Sequence, residues 1–84
     1  MKLTKEIIAK AILDQRETLR LGHKVIGVRI HPSLMEILEL NGHNNFHGIS
    51  IIRDGPEETL PTPWEFDTDQ GLEWAPEGYN SWIK

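Results

Sequence analysis

The chain has 84 residues, no cysteine and a formal net charge of −4, which allows one small domain and excludes a disulfide framework or a thiolate metal centre. The charge is uneven: residues 1–52 carry seven Lys/Arg against five Asp/Glu, whereas residues 53–84 carry two against eight. That acidic C-terminal part disfavours direct nucleic-acid binding, which needs clustered Lys/Arg, and no apolar run approaches the roughly 20 residues that span a bilayer.

The opening MKLTKEIIAKAILDQRE lacks the uninterrupted apolar stretch of a signal peptide, so a soluble, cytoplasmic protein is expected. Within 4–21, Ile8, Ile12, Gln15 and Leu19 fall on one helical stripe, widened by Ile7 and Ala11, and predict an amphipathic helix. Thr4 is the expected N-cap and Gly22 the expected stop. Glu6 and Lys10 have the spacing of a favourable pair. Arg16 and Arg20 lie toward the C-terminal end of the macrodipole.

Val25–Ile30 reads as a strand, with Val25, Ile26, Val28 and Ile30 making both faces apolar. An apolar residue on each side suits a strand covered on both faces, and Gly27 would let a helix approach closely. Pro32 then opens a second helix with Leu34, Met35, Ile37 and Leu38 on one side, closed by Asn41-Gly42. A polar loop, 42–47, leads to a second β-branched run, Gly48–Arg53. A helix between two strands permits a right-handed parallel crossover; antiparallel pairing is the alternative.

Asp54-Gly55-Pro56 signals a turn. Beyond it Leu60, Thr62, Trp64 and Phe66 alternate with Pro61, Pro63, Glu65 and Asp67, a period of two that predicts one apolar face on an extended segment. The prolines suggest an edge strand or a polyproline-like run. Leu72 and Trp74 repeat the alternation. All three tryptophans lie in this part, a composition unlike that of a disordered tail. Much of 57–84 is therefore expected to be ordered, with Leu60, Trp64 and Phe66 packed on the body. The fold class expected is α/β or α+β: a helix, a strand–helix–strand unit, and an extended acidic aromatic segment laid across it.

The run RIHPSLMEILELNGHNNFHGISIIRD resembles a segment of tailed-phage capsid proteins and of small phage proteins of unassigned role. In those a strand leads through a proline-opened helix to a "GI-V-I" strand and an acidic turn. The matching residues are Ile30, His31, Pro32, Leu34, Gly48, Ile49, Ile51, Ile52 and Asp54, and the run covers about a third of the chain. The resemblance implies a phage origin and carries over no catalytic residue. The chain is too short for a whole capsid subunit.

Three sites are read from the residues. His23, His43 and His47 would gather at one end of a parallel unit, where imidazoles could hold zinc; His31 would lie about 20 Å away at the far end. The competing reading is loop histidines that cap and hydrogen-bond. At the far end His31, Ser33, Arg53 and Asp54 surround a helix N-terminus, where a small anion or nucleotide could bind. Against it stand the lack of a glycine-rich phosphate loop and the capping role open to His31 and Ser33. No serine carries a nucleophile signature, and His31 with Asp54 is an acid–base pair without a third group, so no enzyme and no cofactor are expected.

Aromatic residues flanked by carboxylates suit protein recognition. Trp64, Phe66, Trp74, Tyr79 and Trp82 are the candidate partner-binding residues of a non-enzymatic interaction module, such as a phage accessory or inhibitor protein. Glu57, Glu58, Glu65, Asp67, Asp69, Glu73 and Glu77 could face a basic groove as a nucleic-acid mimic would. A ligand-binding module and a structural homo-oligomer subunit are the alternatives.

Overall fold

The computed structural model describes residues 2–53 and 60–83; Asp54, Glu57 and Glu58, named above, lie outside them. Helix α1 (Lys5–Leu19) precedes strand β1 (Val25–Ile30), helix α2 (Pro32–Ile37), the short strands β2 (Asn45–Phe46) and β3 (Ile49–Ser50), the hairpin strands β4 (Trp64–Thr68) and β5 (Gly71–Trp74), and a 3-10 helix (Glu77–Trp82). The fold is α+β.

Helix α1 begins where its cap dictates: the Thr4 hydroxyl accepts from the Ile7 N–H, satisfying one of the orphan donors of the first turn. Its stripe buries Ile8, Ala11, Ile12 and Leu19. Gln15, on the same stripe, enters the core as a hydrogen-bonding group: Trp64 Nε1 donates to its Oε1 at 2.6 Å, and its Nε2 donates to the Trp74 carbonyl at 2.8 Å. Lys10 pairs with Asp14 and not, as expected, with Glu6; Arg20 pairs with Glu17.

The sheet is antiparallel, in the order β1-β4-β5. The strand expected over 48–53 is largely diverted. Ile49–Ser50 folds back on Asn45–Phe46 because His47 (φ 49°) and Gly48 (φ 82°) both sit in the left-handed region, the pattern of a type I′ hairpin turn. What survives of the parallel crossover is one bridge, Val28↔Ile51, with the Ile52 N–H donating to the Val28 carbonyl. The close approach at Gly27 is made by this passing chain and not by a helix: a Cβ there would lie 2.7 Å from Ile52 Cδ1 and 2.9 Å from the Ser50 carbonyl oxygen.

The C-terminal segment supplies the central strand of the sheet, β4, as well as an edge strand, β5. Pro61 and Pro63 precede β4, so the ladder needs no N–H from them. Trp64 and Phe66 are 0% exposed and join Val28, Ile30, Leu34 and the α1 stripe in one core. Tyr79 and Trp82 of the 3-10 helix pack on Trp64, with ring centroids 5.2 and 6.0 Å away. Leu60 is only half-buried. Ile26, expected under a second layer, is 57% exposed, because the β1–β4 register slips between Val25 and Gly27 and leaves it as the extra residue of a bulge.

Helix α2 stops early. Leu40 N–H reaches the Met35 carbonyl and Glu39 N–H the Glu36 carbonyl, a Schellman closure. It places Glu39 at φ 59°, where glycine is usual, ahead of the expected Asn41-Gly42.

Candidate functional site

Directly paired residues of antiparallel strands share a face. Val28↔Phe66, Ile30↔Trp64 and Phe66↔Glu73 therefore mark the inner face, toward α1. Gly27↔Asp67, Arg29↔Glu65, Asp67↔Leu72 and Glu65↔Trp74 mark the outer one.

Ions and exposed apolar groups meet on that outer face. Arg29 Nη1 donates to Glu65 Oε1 at 2.9 Å and also to Asp67 Oδ1. The three side chains are 18%, 6% and 23% exposed. A charge so far removed from water stays ionised only when paired and hydrogen-bonded. Beside this trio, Leu72 and Trp74 are 52% and 45% exposed. Exposed large apolar side chains gathered on one face mark interaction sites more often than scattered ones do.

Two of the recesses that border α1 carry polar groups near β5 or the α2 terminus. One, of about 410 Å³, opens between α1 and β5 and is lined by Asp14, Gln15, Thr18, Leu19, Glu73 and Tyr79 among others. The other, of about 370 Å³, lies below the α2 terminus, with Lys5, Glu39, His43 and His47 at its rim and Leu38 and Phe46 in its wall. Lys5 Nζ donates to Glu39 at 3.0 Å, and that hydrogen bond raises the Lys5 pKa.

The histidines are dispersed into local roles. His47 is a turn residue, edge-on to the Phe46 ring. The His43 carbonyl accepts from Arg53. His23 lies 4.0 Å from Glu73. Among the described residues no group of three or more His, Asp or Glu is placed to hold a metal ion, so the His23, His43 and His47 cluster does not form.

The anion site is divided as well. His31 caps α2 by accepting from Ser33 N–H, and its Nδ1 lies 2.9 Å from Ser33 Oγ. Arg53 instead donates to the Leu40 and His43 carbonyls, beyond the opposite end of that helix. With the crossover reduced to one bridge, the strand ends that would have joined His31 to Arg53 do not coincide.

Of the five aromatic candidates, Trp64 and Phe66 are sealed in the core, and Tyr79 and Trp82 are half-buried around Trp64. Trp74 alone among them is exposed. The acidic set is likewise divided: Glu65 and Asp67 are turned toward Arg29, and Asp69 accepts from the Lys24 N–H. The ionic trio was not singled out in the sequence, although Arg29 between Val28 and Ile30, and acids at alternate positions 65 and 67, carry its signal.

No family model, curated protein or solved structure matches the chain. No helix of the described residues is long and apolar enough to cross a membrane.

Proposed function

We propose that this protein is a non-enzymatic interaction module that binds a basic protein partner through the outer face of the β4–β5 hairpin. One observation carries the reading: Leu72 and Trp74 stand half-exposed on one face, within a segment, 60–83, that holds five acids and no Lys or Arg. Tryptophan is a favoured interface anchor, and the acids of this segment exceed the charge of Arg29, from which Glu65 and Asp67 accept, an excess that steers basic partners. Such a partner presents Lys/Arg around an apolar pocket. The sequence resemblance implies a phage origin, and a phage accessory or inhibitor protein would use a surface of this kind.

The test is capture from a bacterial lysate on immobilised full-length protein, wild type against Trp74→Ala, in low and high salt. The reading expects basic proteins retained by wild type, lost on Trp74→Ala and released by salt, since screening cuts electrostatic reach to about 8 Å at physiological ionic strength. Equal capture by both proteins, unaffected by salt, would overturn it.

A further inference from the structure

Resting on that reading, we propose that the partner binds by adding a strand. An extended segment, apolar–basic–apolar in sequence, pairs antiparallel with β5 and becomes the fourth strand of the sheet.

The backbone supplies the first argument. β5 ends the order β1-β4-β5. The Thr68↔Gly71 pair closes a two-residue turn and Phe66↔Glu73 lies two residues on, so Gly71 and Glu73 direct their backbone groups to β4 while Leu72 and Trp74 direct theirs away. Of those outward groups the Trp74 carbonyl is taken by Gln15. The Leu72 N–H and carbonyl and the Trp74 N–H have no partner among the described residues. Proteins usually guard such an edge with lysine, proline or a covering element, and Gly71–Trp74 contains neither lysine nor proline.

Side chains specify the occupant. A strand paired with β5 alternates in step with it. Its residues opposite Leu72 and Trp74 lie on the outer face, beside two exposed apolar side chains. Its residue opposite Glu73 points inward, to the 410 Å³ cleft between β5 and α1 that Asp14, Glu73 and Tyr79 line. Asp14 already accepts from Lys10; the Glu73 carboxylate and the Tyr79 ring suit an arginine or lysine. A second copy of this chain offering β5 in the central register would instead bring Glu73 against Glu73, so a basic partner strand is favoured over self-pairing.

The probe is an acetyl-Thr-Val-Arg-Val-Thr-amide peptide added to the isotopically labelled full-length protein and followed by NMR. The proposal expects the Leu72 and Trp74 amides to shift and to exchange more slowly with solvent. It expects binding to weaken about tenfold in Glu73→Gln, as loss of a close charge pair does, and to vanish when the valine after arginine is N-methylated. Unchanged exchange at both amides in millimolar peptide overturns it. So does equal binding of the N-methylated peptide. Shifts of the Trp74 indole and Leu72 methyls without amide protection would remove strand addition while leaving the outer face in use. Loss of the partner-binding reading itself is seen separately, in the Trp74-dependent capture.

Discussion

On the inner face of the β4–β5 hairpin Trp64 and Phe66 are 0% exposed, while on its outer face Leu72 and Trp74 are 52% and 45% exposed. The same hairpin provides both faces, and similar residue types occupy them. The difference lies in what covers each: α1 and the 3-10 helix close over the inner face, whereas Leu72 and Trp74 have no such cover. A tryptophan in this chain is therefore not one kind of evidence. Trp64 is a keystone, hydrogen-bonded through its indole to Gln15; Trp74 is a surface residue whose backbone carbonyl, and not its ring, is held by that same glutamine.

The largest expected effect separates these two residues. Trp64→Ala should cost about 3–5 kcal/mol, since it empties a fully buried site and leaves Gln15 without its donor. Trp74→Ala should stay within about 0.5 kcal/mol of wild type. Chemical denaturation of both proteins decides, and similar losses would erase the distinction between the faces.

Arg29 tests whether the outer face has a structural layer of its own. Arg29→Ala leaves the Glu65 and Asp67 carboxylates without the guanidinium that both accept from. Breaking a buried ionic pair on one side costs about 3–5 kcal/mol, discounted here because Asp67 is part-exposed, so a loss of about 2–3 kcal/mol is expected in urea unfolding. Gly27→Ala should cost about 1–3 kcal/mol, because the new methyl meets both the Ile52 side chain and the less yielding Ser50 carbonyl. Glu39→Gly should raise stability by up to about 1 kcal/mol by relieving a left-handed residue, visible as a higher thermal midpoint.

The alkaline limb of the stability curve gives the smallest effect. Hydrogen bonds donated to Glu39 and Asp14 raise the pKa values of Lys5 and Lys10 above 10.5. A base raised on folding contributes stability that is fully present below its unfolded value and lost as pH climbs through the folded one. These exposed pairs should therefore leave the thermal midpoint flat at neutral pH and lower it only above pH 10.5. A Lys5→Gln/Lys10→Gln protein should show a shallower alkaline decline.

The helical stripe of α1, the Thr4 cap, and the shared inner face of Trp64 and Phe66 were legible in the sequence because each follows from local spacing. The sheet was not. Choosing β4 rather than Gly48–Arg53 as the main partner of β1 is a long-range decision, and the residues that settle it are small: His47-Gly48, which turns the chain back on itself, and Gly27, which lets it pass. The candidate sites failed for the same reason. They were placed on the ends of a parallel crossover, so when the crossover shrank to Val28↔Ile51, His31 and Arg53 parted and the three histidines took separate work. The outer face needed the register: only the pairings Arg29↔Glu65 and Glu65↔Trp74 bring the ionic trio and the exposed indole together.

The central claim is that the inner face of the hairpin and the Arg29 ion pairs hold the fold while Leu72 and Trp74 are kept for a partner. Its most direct test is the unfolding midpoint of a Leu72→Ser/Trp74→Ser protein, measured beside its capture of the basic partner. The account predicts a midpoint within about 0.5 kcal/mol of wild type and no capture. A protein that unfolds several kcal/mol more easily, or one that still captures the partner at wild-type strength, would contradict it.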